Sequence, residues 1–131
     1  MNKLLEVLVV DDAPMAAKAI AQCIELEKIG NTTAKSTGES ALVEFNERIG
    51  TTAKYDVVLT DYNMRQMDGI QLCRHVKLLD PQANVVITTG FEGIERDLEN
   101  VPYRFLPDKI LEKPIDFERE LFPYLKSLKK D

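Results

Sequence analysis

The amino-acid sequence predicts an α/β domain in which one parallel sheet carries helices on both faces. Two observations point there. Five short apolar runs rich in β-branched residues alternate with segments of helical periodicity. Three of those runs, Leu4–Val10, Tyr55–Thr60 and Asn84–Thr89, are nearly continuous in apolar character rather than alternating, as in strands buried on both faces.

Taken in order, Leu4–Val10 is interrupted only by Glu6 and reads as a central strand ending in Asp11-Asp12. Pro14 then stands where a first-turn helical proline is favoured. The following helix places Met15, Ala19, Cys23 (or Ile20 and Ile24) and Leu26 at helical spacing, with Gly30 as its C-cap. Residues 31–36 are Thr-rich and form the weakest strand of the set. Gly38-Glu39-Ser40 opens a second helix, which Gly50 stops.

Tyr55–Thr60 is the third strand, and Asp61 follows it. A loop with Asn63, Met64, Met67 and Asp68 leads to an amphipathic helix over Gly69–Leu79, ended by Asp80-Pro81. Asn84–Thr89 is the fourth strand, closed by Gly90. A short helix is expected over Glu92–Asn100, and Pro102 and Pro107 make the next stretch irregular. Ile110–Glu112 is a brief fifth strand before Lys113-Pro114. A last helix spans Asp116–Lys129, kinked or split at Pro123.

The chain has 131 residues, the size of one ordinary domain over 1–131, and no repeat or low-complexity segment divides it. Hydrophobic residues at 44% and charged residues at 30% describe a globular composition. A net charge of −5 disfavours direct nucleic-acid binding, which needs a basic face. The basic stretch Lys126–Lys130 reads as a solvated helix end. No apolar stretch is long enough to span a bilayer, and the N-terminus lacks a signal-peptide pattern. Cys23 and Cys73 lie in helical segments without metal-ligand spacing, as reduced packing residues of a cytoplasmic protein. His75 stands mid-helix beside Arg74 and Lys77, far from the strand ends, and reads as part of a solvated face.

Strand polarity turns these elements into a site. In a parallel sheet all carboxyl ends face one edge, so Asp11, Asp12, Asp61, Thr88, Thr89 and Lys113 converge there. Carboxylates brought together resist ionising unless a cation is supplied. A hard divalent ion with oxygen ligands meets that need, and Mg²⁺ leaves room for phosphate because it uses few carboxylates.

With the fragments Val7–Asp12 (VLVVDD), Asp56–Gly69, Val85–Gly90 (VVITTG) and Glu112–Pro114 (EKP) in this order, the chain resembles a response-regulator receiver domain, the phosphoacceptor half of two-component signalling. The resemblance covers essentially the whole sequence. It implies a flavodoxin-like, doubly wound (βα)5 sheet of strand order 2-1-3-4-5. Asp61 matches the phosphoacceptor, loaded from a sensor histidine kinase or phosphotransfer protein. Asp12, Asp61 and the backbone carbonyl of Asn63 match the Mg²⁺ ligands, with Asp11 acting through water. Lys113 matches the lysine that pairs with the phosphoryl group, and Lys113–Pro114 is a candidate cis peptide. Thr89, followed by the small Gly90, matches the switch hydroxyl, and Gly90 would leave the site open to its donor. The output would be a surface near the fourth helix and fifth strand that repacks toward an effector protein or a C-terminal output domain.

The sequence departs from the family pattern at three places. Ile110 stands where a switching aromatic is usual, with Tyr103 and Phe105 the nearest aromatics. Arg65 stands where a proline commonly follows the methionine. The segment between Thr89 and Lys113 is irregular where a regular helix is usual. Two rival readings are a phosphorylation-independent interaction domain and a small aspartate-based phosphatase. Asn63, two positions after Asp61 where a second acid would be needed, argues against the phosphatase.

Overall fold

Five parallel strands pair in the order β2-β1-β3-β4-β5. This is the topology expected of a doubly wound sheet with its crevice beside the switch between β1 and β3. The computed structural model describes residues 3–90 and 93–129. Along the chain run β1 (Leu5–Val10), α1 (Pro14–Leu26), β2 (Gly30–Lys35), α2 (Gly38–Arg48), β3 (Val57–Asp61), α3 (Gly69–Leu79), β4 (Asn84–Thr89), α4 (Ile94–Leu98), β5 (Lys109–Glu112) and α5 (Phe122–Ser127).

Alternation along the strands makes two cores. Val7, Val9, Val57 and Leu59 point to the face covered by α1 and α5, where they pack with Ala17, Ala21, Ile24, Leu121 and Leu125. Leu8, Val10, Val58 and Ile87 point the other way, onto Ala41 and Phe45 of α2, Leu72 and Val76 of α3, and Ile94 of α4. Burial on both faces is why the central strands read as continuous apolar runs.

Several sequence-based expectations need correction. On α1 the alternative stripe with Ile20 and Ile24 faces the core, with Ala17, Ala21 and Ile24 buried, whereas Met15 and Leu26 are 85% and 81% exposed. Gly30 is not a C-cap. The helix ends at Glu27, Lys28 takes the left-handed turn with φ of 57°, and Gly30 opens β2 opposite Leu5. A Cβ on Gly30 would stand 2.6 Å from the Leu5 carbonyl oxygen, so close strand approach explains the glycine.

The helix expected over Glu92–Asn100 is shorter: α4 spans Ile94–Leu98, and Glu92 lies outside the described residues. Within the irregular stretch, Tyr103–Phe105 forms a 3₁₀ turn that buries Phe105. The last helix is split, as Pro123 requires. Phe117–Leu121 forms a wider π turn, closed by the Leu121 N–H on the Asp116 carbonyl at 3.2 Å, before α5 begins. Proline has no N–H to give and its ring would strike the carbonyl one turn earlier, so the wider turn accommodates it.

His75 is exposed, as expected, beside a groove with Leu42 and Leu78. Its helical neighbour Lys77 is buried. The Lys77 ammonium donates to the Ala83 carbonyl at 2.9 Å and to Asp108 at 2.6 Å. The same Asp108 oxygen accepts the Val85 N–H at 2.9 Å, so one ion pair ties the end of α3 to the starts of β4 and β5.

Candidate functional site

The register pairs Val10 with Thr60 on the neighbouring strands, so Asp11 and Asp61 leave the sheet side by side. Asp61 is the last residue of β3 and pairs with Thr88 of β4. Asp11 and Asp61 are both buried, while Asp12 is exposed. One carboxylate oxygen from each of the three lies within 4.8 Å of the others.

Lys113 enters from the far side. It follows β5, and its N–H donates to the Thr89 carbonyl at 2.9 Å. Its ammonium then lies 3.0 Å from Asp61 Oδ1 and 3.7 Å from Asp11 Oδ2. The Lys113–Pro114 peptide is cis, as the family resemblance implied. Thr88 and Thr89 are buried at the end of β4 between these groups.

Local backbone chemistry fixes the surroundings of Asp11 and Asp61. The Asp11 carboxylate accepts the Ala13 N–H at 3.0 Å, just ahead of the Pro14 start of α1. Beyond Asp61, the Tyr62 N–H donates to the Thr88 carbonyl at 2.8 Å and the Tyr62 carbonyl accepts the Gly69 N–H at 2.9 Å. A Cβ at Gly69 would lie 2.6 Å from the Asp61 carbonyl oxygen, so only glycine allows α3 to start this close to the acid. Asp68 and Gln71 form a reciprocal capping box at that start, a device worth about 1 kcal/mol.

The loop between Asp61 and α3 turns through Gln66, whose φ is 68°. Arg65 is exposed on it, as is Asn63. Gly90 has open space where a Cβ would stand.

Burial pushes the Asp61 carboxyl above the ordinary carboxylate range. The Lys113 ammonium opposes that shift, and the neighbouring Asp11 charge adds to it. Among the described residues, the Lys113 ammonium pairs with Asp61 and Asp11, Asp12 completes the three-carboxylate cluster, and the donor set of that cluster is oxygen only. That arrangement fits a hard divalent cation.

Sequence reasoning missed Tyr62. Its ring turns into the core beneath α3 and α4, and its hydroxyl donates to Asp97 of α4. The signal was present: the residue after a strand-end acid faces the opposite side of the sheet. At position 110 the isoleucine packs half-buried against the same core. Tyr103 is 91% exposed, and Phe105 is buried with the Arg74 and Arg104 guanidinium groups 4.9 and 4.8 Å from its ring.

Comparison with known proteins gives the family and the fold. Residues 7–122 match the family model of the response regulator receiver domain. The chain is 30% identical over 120 residues to the transcriptional regulatory protein ZraR of Salmonella typhimurium strain LT2, covering 88% of this chain and 24% of ZraR. The chain therefore spans about a quarter of the length of that relative. It is 32% identical over 90 residues to the response regulator receiver protein CpdR of Brucella abortus strain 2308, covering 68% of this chain and 69% of CpdR. A response regulator receiver domain protein of Clostridium thermocellum shares the fold, with a TM-score of 0.82 at 23% identity over 95% of this chain and 94% of that one.

Proposed function

This chain belongs to the response regulator receiver domain family of two-component signalling, and on that premise we propose that Asp61 is its phosphoacceptor. The observation that carries the proposal is the meeting of Asp61, Asp11, Asp12 and Lys113 at one sheet edge. The donor is a phosphohistidine of a sensor kinase or phosphotransfer protein. An ionised Asp61 oxygen forms the new O–P bond as the P–N bond breaks. The imidazole leaves neutral, keeping the proton on its other ring nitrogen, so charge and atoms balance.

Asp61 must be ionised to attack, and burial works against that. Lys113 favours the ionised form and stands close enough to follow the incoming phosphoryl oxygens. Asp12 and Asp61, with the Asn63 backbone carbonyl and with Asp11 through water, would hold Mg²⁺. When bound, the ion would offset the negative charge gathered on the phosphoryl oxygens. Thr89 lies buried at the adjoining strand end, where its hydroxyl would meet the phosphoryl group. Open space beside Gly90 suits the approach of a donor protein.

The protein acts as a switch rather than as an enzyme on small substrates. Loading of Asp61 shifts the surface around α4 and β5 toward an effector protein or a C-terminal output domain, with no direct nucleic-acid contact by this domain. One sheet with a core on each face supports one receiver domain over 1–131. Among the described residues no helix is long and apolar enough to cross a membrane. Both cysteines are free thiols, which agrees with a cytoplasmic setting.

The test is incubation with acetyl phosphate and Mg²⁺. The wild-type chain should gain an acid-labile phosphate, seen by intact mass, and Asp61→Asn should not. Labelling of Asp61→Asn at the wild-type rate would mean that Asp61 is not the acceptor.

A further inference from the structure

Tyr62 follows Asp61 directly, yet its ring lies in the opposite core with Leu8, Val58, Leu72 and Ile94. Its backbone is tied at both ends to the site, through the Thr88 carbonyl and the Gly69 N–H. Its hydroxyl donates to the carboxylate of Asp97 on α4.

The helix at the other end of this bond is weakly held by its own backbone. It has 5 residues and no side-chain N-cap, and so short a helix has little stability apart from its tertiary contacts. Among the described residues its contacts include Ile94 in the core, Leu98 packed against it, and Asp97 on Tyr62.

A phosphoryl group on Asp61 has to be accommodated where the carboxylate now pairs with Lys113 at 3.0 Å. A displacement of the end of β3 on loading would reach Tyr62, whose backbone is tied to it. A hydroxyl–carboxylate bond weakens steeply with distance and angle, so it either resists the displacement or opens.

We propose that Tyr62 is a positioning residue that couples Asp61 to α4, its hydrogen bond to Asp97 holding α4 in the resting arrangement and opening when Asp61 is loaded. This rests on Asp61 being the acceptor. Coupling between sites is reciprocal: whatever the bond adds to the resting arrangement is subtracted from binding at Asp61.

Beryllofluoride with Mg²⁺ serves as the probe of a loaded Asp61. Tyr62→Phe keeps the ring, and Asp97→Ala changes an exposed position. Each should tighten beryllofluoride binding about three- to tenfold, the range of one ordinary hydrogen bond, and the double variant should gain no more than either single one. Calorimetry reads the affinity. Amide exchange at Ile94–Leu98 should also be faster in both variants without the probe. Unchanged or weaker binding in either variant, or unchanged α4 exchange, overturns the coupling while leaving the acceptor intact. A wild-type chain that binds no beryllofluoride in Mg²⁺ overturns the acceptor assignment and the coupling with it.

Discussion

Lys113 reaches Asp61 at 3.0 Å although β4 separates the strands that carry them. The parallel order β3-β4-β5 brings both strand ends to one edge, and the long lysine stem spans the gap. The pair then opposes the burial that raises the Asp61 carboxyl. Removing the ammonium therefore makes ionisation harder still. Lys113→Gln should slow acetyl phosphate labelling and move the acid limb of its pH–rate profile to higher pH. Rates measured from pH 5 to pH 8 check this, and an unmoved limb refutes it.

Stability should respond to Asp61 with a definite sign. Its folded carboxyl titrates above the unfolded value, so the folded state holds the proton more tightly. That contribution is fully present below the unfolded pKa and is lost as pH rises through the folded one. Asp61→Asn mimics the protonated form. It should melt above the metal-free wild type at pH 7, with the difference closing as pH falls toward 4. Thermal melts at the two pH values decide the matter.

Mg²⁺ should reverse the penalty in the wild type. A ligand present at about 100 times its Kd stabilises by about 2.7 kcal/mol, a rise in Tm of several degrees for a domain of this size. Asp12→Ala removes an exposed member of the acid cluster. It should fold normally and lose most of that rise. Calorimetric melts with and without 10 mM Mg²⁺ provide the comparison.

Two glycines at the site should behave oppositely. Gly69→Ala drives a Cβ against the Asp61 carbonyl oxygen and the Tyr62 Cα, both backbone atoms, and should cost about 1–3 kcal/mol or more. Gly90→Ala meets nothing within 4 Å and should leave stability within about 0.5 kcal/mol of wild type. Urea unfolding of both variants tests the pair.

Away from the site, Asp108→Ala strips the partner from the buried Lys77 ammonium and from the Val85 N–H. A loss of about 1–3 kcal/mol is expected from the unsatisfied donors. Lys77→Met in the same background should recover part of it, because the uncompensated charge is then gone. Denaturant midpoints of the single and double variants measure the recovery.

Strand and helix alternation was legible because its carriers are local. Leu4–Val10, Tyr55–Thr60 and Asn84–Thr89 declare themselves by composition, and the start of α1 by Pro14 in its first turn. The sheet edge was legible as well, since parallel strands share a polarity and Asp11, Asp61 and Lys113 each lie at or just past a strand end. Met15 and Leu26 misled because three apolar stripes compete on α1. Only packing against β1 and β2 selects Ala17, Ala21 and Ile24.

The sequence by itself thus determined the element order, the sheet's two-sided burial and which side chains meet at its edge. The tertiary structure decided what side-chain reach and register decide. Lys77 finds Asp108, 31 residues away, and becomes a buried charge. Gly30 serves strand pairing instead of a helix end. Tyr62, one peptide unit from Asp61, finds Asp97 on the far core and ties the site to α4. Such pairings depend on distances between elements far apart in the chain, and no local pattern of residues encodes them.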